Sequence, residues 1–323
     1  MRERFRGLLR EQRGHVLVLV AAGMVAMLGF AAITLDAASL YLARSQAQTA
    51  ADAAALAAAQ FLPGNPSAAE ATADTVAFKN NIDPSLVRVQ FSADYKSVTV
   101  GTGQNVVFSF ATVLGVRQSQ VGATATAKVS YLSGFRGISP LIIQRSSYVP
   151  YQNYTLRAPD QVSPGNFRAL NLEAVDWNSN NGADNYYKEF VNGWGGNAYL
   201  GQQLDAETGV MAAKTKQAIQ DILAANPDDV NNDGISDYQQ DLNHDGYPDI
   251  PPTSDRLLVI PMTDAFPNGT SSQITVVGFA TFYLTGVSAD GKSVYGEFLP
   301  GILHGDSSDT APDGGARTIR LVN

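Results

Sequence analysis

"HVLVLVAAGMVAMLGFAAITLDAASLYLARSQAQTAADAAALAAAQF", residues 15–61, opens with 21 residues, 15–35, that carry no formal charge. That length matches the ~20 residues needed to cross ~30 Å of hydrocarbon. A secretory signal has a shorter apolar stretch of ~7–15 residues and a small-residue exit. Here the run goes straight into Asp36 and a helical pattern, which predicts a retained anchor rather than a cleaved leader. Residues 36–61 are rich in alanine and free of proline and glycine, so helix propensity stays high to Phe61. Leu35, Leu42, Thr49, Ala53 and Leu56 share one helical stripe, while Arg44, Gln48 and Asp52 line the opposite side. A continuous helix over residues 15–60 would be ~70 Å long at ~1.5 Å per residue, half of it clear of the bilayer. "LPGNP", residues 62–66, stops it, and Ser67 with Glu70 reads as the capping box of a second helix reaching about Asn80.

Charge is placed unevenly along the 323 residues. Residues 1–13 hold five arginines and two glutamates, leaving 17 of the 22 basic and 28 of the 30 acidic side chains in the rest. Five arginines before the apolar run and none inside it predict a cytoplasmic N-terminus with the remainder outside. The acidic remainder is a poor match for nucleic acid or an anionic membrane surface. Cysteine is absent, which excludes disulfides, thiolate metal sites and cysteine nucleophiles. Of the three histidines, His15 sits in the apolar run and His244 in an aspartate repeat, so a histidine-based triad would have to use His304. No phosphate-cradling glycine loop and no Gly-x-Ser-x-Gly elbow stands between a strand and a helix, and no carboxylate pair occupies a catalytic setting. The chain therefore reads as non-enzymatic, with no small-molecule substrate.

Beyond Asn80 the period changes. "LVRVQF" and "SVTV" read as strands joined by "SADYK". From residue 121 to 131, Val121, Ala123, Ala125, Ala127, Val129 and Tyr131 alternate with smaller or polar residues, the pattern of a sheet with one covered face. "YLSGFRGISP", residues 131–140, reads as a hinge to a second part. There, "NYYKEFVN" and "AAKTKQAIQDILAAN" have helical spacing, while "RLLVIPM", "QITVVGFATFYLTGV" and "SVYGEFL" read as strands. Asp290-Gly291 marks a hairpin between the last two. Helices interleaved with mainly antiparallel strands indicate α+β rather than a doubly wound sheet.

Residues 13–59, "RGHVLVLVAAGMVAMLGFAAITLDAASLYLARSQAQTAADAAALAAA", resemble the N-terminal segment of TadE/TadG-like proteins of Flp (tight adherence, Tad) pilus assembly. An arginine-glycine start, a membrane helix, an aspartate at its outer end and an "AADAAALA" helix follow in that order, matched here by Asp36, Tyr41, Arg44, Gln48 and residues 50–59. The strands after residue 97 resemble the end of the same module, and stretches from "GISPLII" to "VVGFATFYLTGV" resemble longer TadG-like proteins. Processing of prepilins in such systems uses a glutamate five residues after the cleaved glycine. Leu19 stands five residues after Gly14, so the arginine-rich start is expected to stay on. The Asp-x-Ser-x-Ser metal site of family members with a von Willebrand A domain is absent.

"DDVNNDGISDYQQDLNHDGYPD", residues 228–249, carries seven aspartates in 22 positions and repeats with a shift of 12. Oxygen ligands at positions 1, 3 and 5, glycine at 6, a backbone carbonyl at 7 and a carboxylate at 9 suit Ca²⁺ in EF-hand-like loops. One loop offers Asp229, Asn231, Asp233, the Ile235 carbonyl and Asp237; the other offers Asp241, Asn243, Asp245, the Tyr247 carbonyl and Asp249. Position 12 is Gln240 in one and Pro252 in the other, which weakens binding toward ~10⁻⁴–10⁻³ M. The tandem resembles thrombospondin type 3 and dockerin-like repeats, and Ca²⁺ is expected as a structural staple on a connector.

The expected fold class is α+β: a basic cytoplasmic tail (1–13), a transmembrane helix (14–35) continuing into a long helix, a pilin-like helix-on-sheet module (36–133), and a larger mainly antiparallel α+β extracytoplasmic body (134–323) containing the repeat at 228–250. The expected localisation is the cytoplasmic membrane, single-pass. The leading functional reading is a membrane-anchored component of a Tad/Flp-type pilus or secretion apparatus, its body contacting other proteins of that apparatus. The alternative is a surface-displayed, calcium-dependent binding protein or adhesin that shares the anchor.

Overall fold

The computed structural model describes residues 5–159, 165–172, 182–207, 209–227, 255–266 and 273–322. They form two compact units, Met1–Lys128 with Leu321–Asn323, and Val129–Arg320.

In the first unit, helix α1 (Phe5–Ala59) runs 55 residues without a break, about 80 Å at ~1.5 Å per residue. It begins well before the apolar run and is the one described helix long and apolar enough to cross a membrane. Its last turn tightens, with Gln60, Phe61 and Leu62 donating to the carbonyls three residues back, before Pro63 ends it. Helix α2 (Pro66–Lys79) follows. Its N-cap is Asn65, whose side-chain oxygen accepts the Ala68 N–H at 3.1 Å. The cap thus lies two residues before the expected Ser67, because Pro66 has the fixed φ and the missing N–H that suit the first helical position.

Strands β1 (Arg88–Phe91) and β2 (Ser97–Val107) form the hairpin read from the sequence. Strand β3 (Gln118–Arg136) pairs antiparallel with β2 from Val107↔Gln118 to Ser97↔Lys128. Side chains alternate as expected: Val98, Val100, Val106, Ala125 and Ala127 are buried. Between them on the other face stand Thr99, Gly101, Asn105, Gln120, Gly122 and Thr124. Helix α1 packs on this sheet and on α2, giving the long helix on a sheet that the sequence predicts.

The helix face that packs differs from the one the leucines mark. Ala43, Ala47, Ala50, Ala51, Ala54, Ala55 and Ala58 are buried, met by Ala69, Ala73 and Ala77 of α2. Leu35 and Leu42 remain exposed, about a third of a turn round the helix from the alanine face at ~3.6 residues per turn. Alanine wins because a methyl group lets two backbones approach where leucine would hold them apart. Hydrophobicity alone favours the leucines, and close packing reverses the choice.

In the second unit, β3 continues through Arg136, so residues 131–136 of the expected hinge are strand. Next come β4 (Leu141–Gln144), β5 (Asn153–Arg157), β6 (Phe167–Asn171), α3 (Ala183–Asn192), β7 (Asn197–Tyr199), β8 (Gln203–Ala206) and α4 (Ala212–Ala225). Then β9 (Leu257–Thr263), β10 (Gln273–Thr275), β11 (Gly278–Val287), β12 (Ser293–Phe298), β13 (Gly301–Ile302), β14 (Asp306–Ser308) and β15 (Ala316–Val322) complete the described chain. Eight strands form a sheet in the order β10-β8-β6-β4-β9-β11-β12-β5. Its described pairings are antiparallel except β4 with β9. Helices α3 and α4 cover one face, with Tyr186, Phe190, Ile219 and Ile222 against Leu141, Ile143, Ile260 and Phe282. On the other face Ile142, Leu170, Val259 and Phe279 pack with Trp194 and Leu204.

The hairpin at Asp290-Gly291 forms where the sequence placed it. Gly291 has φ +73°, and a Cβ there would lie 2.0 Å from the Ala212 carbonyl oxygen, so glycine is required both by conformation and by the approach of α4.

Candidate functional site

The outer half of α1 lies along β2 in opposite direction, and three contacts fix the register. The Thr102 hydroxyl donates to the Ala47 carbonyl at 2.8 Å. One turn of contacts nearer the apolar run, Ala43 packs with Val106 and Phe108. At the end of the strand the chain turns over, and Asp36 meets it there.

Asp36 is 7% exposed although it directly follows the apolar run. Its carboxylate accepts three consecutive backbone N–H groups: Ser109 at 3.0 Å, Phe110 at 3.1 Å and Ala111 at 2.6 Å. These are the free donors at the start of a short 3-10 turn, Ala111–Leu114, the positions where a carboxylate is favoured. Burial by itself raises the Asp36 pKa, but the N–H groups of Ala111, Ser109 and Phe110 together outweigh it and hold the carboxyl below its ordinary value of 3.8. The aspartate acts as a latch, joining helix and turn across 73 to 75 positions of sequence.

Farther along α1, Gln48 donates to Asp52 at 2.8 Å and to the Thr124 carbonyl at 3.3 Å. Gln104 donates to Gln46 at 3.3 Å. Arg44 and Gln48 border an open groove of about 500 Å³ whose other walls include Arg88, Gly101, Gly122 and Thr124. Tyr41 points away, 74% exposed. Of the residues singled out by sequence, the structure therefore brings Asp36, Gln48 and Asp52 into the helix–sheet seam or its edge and leaves Tyr41 outside.

The residues that complete the latch, Ser109, Phe110 and Ala111, offer nothing in sequence that identifies them. They donate through backbone N–H, which every residue but proline carries. Thr102 was equally hidden, since a threonine in an alternating strand reads as surface. The usable signal was an aspartate at the outer end of an apolar helix, because a carboxylate in that position needs partners.

The ten residues expected to bind Ca²⁺, Asp229, Asn231, Asp233, Ile235, Asp237, Asp241, Asn243, Asp245, Tyr247 and Asp249, lie outside the described residues. What flanks them is described. Arg256, buried at the start of β9, donates through Nε to the Asn226 carbonyl at 2.6 Å, at the end of α4. This bond brings the end of α4 to the start of β9. His304 is exposed, and among the described residues no three His, Asp or Glu side chains gather as a metal site.

Compared with known families, residues 14–60 match the family described as "Putative Flp pilus-assembly TadE/G-like". The matched segment contains the membrane run, Asp36, Gln48 and the alanine face; β1 to β15 lie beyond it. No curated protein and no solved structure matches the chain.

Proposed function

We propose that the protein is a non-enzymatic component of a Tad/Flp-type pilus-assembly or secretion apparatus, held by one membrane helix with its N-terminus in the cytoplasm and its body outside. The carrying observation is the coincidence of the TadE/G-like segment, residues 14–60, with a helix whose inner half is long and apolar enough to cross a membrane and whose outer half packs on a folded sheet. A helix locked in that way ties the sheet of the first unit to the level of the membrane, which suits a scaffold rather than a tether on a flexible stalk. The acidic, largely antiparallel second unit is read as the surface that contacts other proteins of the apparatus. Ca²⁺ bound by residues 228–250 is proposed as a local staple, a reading supported by the pinning of the segment's two ends through Arg256 and Asn226.

Deleting the gene in the parent bacterium and imaging the cells by electron microscopy tests this. Loss of Flp pili, restored by a plasmid copy of the full chain, supports the proposal. Normal pili together with loss of calcium-dependent surface adhesion would replace it with the adhesin reading.

A further inference from the structure

Between β2 and β3 the chain reads "FSFATVLGVR", residues 108–117, with one arginine and no acidic residue in a protein of net charge −8. Phe110, Val113 and Val116 of this stretch are exposed, Val113 at 89%, together with the adjoining Val107. Phe108 turns inward, against Ala43 and Val106, and Ala111 packs on the same cluster. Four large apolar groups at one tip are unfavourable in water and need a covering.

We infer that this tip is a second membrane contact, seated in the headgroup and upper acyl region of the same bilayer that α1 crosses. The inference rests on the membrane-anchored reading of α1. Position argues for it first: the Asp36 carboxylate holds Ser109, Phe110 and Ala111, and Asp36 is the residue directly after the apolar run. The tip is therefore tied to the level at which the helix leaves the hydrocarbon.

Backbone chemistry argues for it second. A loop can enter lipid only if its polar backbone groups are already bonded. Here the N–H groups of Ser109, Phe110 and Ala111 go to Asp36, Val113 donates to the Phe110 carbonyl, Gly115 to Thr112 and Val116 to Ala111. The Thr112 hydroxyl is turned back to the Phe108 carbonyl at 2.8 Å. Charge argues third. Arg117 at the base of the tip is exposed, placed to reach lipid phosphates while the apolar groups lie deeper.

The absence of cysteine makes the test direct. Single-cysteine variants of the full chain, each carrying an NBD fluorophore, would be reconstituted in phosphatidylcholine vesicles with and without lipids bearing a shallow or a deep doxyl quencher. Val113→Cys and Val116→Cys report the tip. Leu28→Cys reports the span. Ala93→Cys reports the β1–β2 turn at the far end of the 11-residue β2, roughly 35 Å away at ~3.3 Å per residue. The expected result is a blue-shifted, several-fold more quenched signal at both tip positions than at Ala93, with Leu28 also quenched by deep-doxyl lipid. Quenching at Leu28 with tip labels that behave like Ala93 would overturn the inference and leave the anchor standing. No quenching at Leu28 would overturn the anchor and the inference with it.

Discussion

The Asp36 carboxylate accepts the Ala111 backbone N–H at 2.6 Å, joining the outer end of the membrane run to a turn 75 positions later. This bond and its two neighbours tie the long helix to the turn that follows β2. They also connect the electrostatics of a single carboxyl to the placement of the whole tip.

Because folding lowers the Asp36 pKa, its contribution to stability is fully present above the unfolded-state value of 3.8 and is lost as pH falls through the lower folded-state value. Hydrogen exchange of the detergent-solubilised full chain should show residues 107–117 loosening below about pH 4, before the sheet opens. Asp36→Ala should produce several-fold faster exchange in this turn already at pH 7, and Asp36→Asn a smaller increase, since the amide oxygen still accepts. Exchange that is unchanged in Asp36→Ala would show the latch to be dispensable.

Ala54 has no exposed surface where α1 packs. Ala54→Leu is expected to destabilise the first unit by about 1–3 kcal/mol through overpacking. Leu42→Ala, at a side chain 59% exposed, should stay within about 0.5 kcal/mol. Denaturant midpoints of the two variants against the parent chain decide between the alanine face and the leucine face.

Calcium should order residues 228–250 without being required for the second unit. With Kd of ~10⁻⁴ M and ~1 mM free Ca²⁺, one site stabilises the bound form by roughly 1.4 kcal/mol, small beside a domain stability of ~5–15 kcal/mol. Limited proteolysis with chelator should add cuts within this segment alone, and Asp233→Ala should reproduce part of the effect in Ca²⁺. Unfolding of the unit on chelation would assign the ion a larger role, and an unchanged pattern would make the repeat a solvated linker.

Protease added to intact protoplasts should remove everything beyond about residue 61 and leave a membrane-embedded stub, as the arginine-rich start implies. Intact mass of the membrane-extracted chain should include that start, because Leu19 replaces the glutamate that processing uses. Protection of the body would reverse the proposed orientation.

Local chemistry was enough to give the sequence its decisive features. An uncharged 21-residue run specifies a membrane-length helix, unbroken alanine-rich sequence carries it onward, alternation over residues 121–131 specifies a half-covered strand, and Asp290-Gly291 specifies a hairpin. Each rests on periodicity or on a residue's own conformational limits, which act over a few positions. Which face of α1 is buried, which backbone groups satisfy Asp36, and where the exposed Val113 comes to lie were settled only by tertiary structure. Those outcomes depend on close approach between segments far apart in the chain. A methyl-lined helix face and an unremarkable backbone N–H acquire meaning only when packing brings their partners to them.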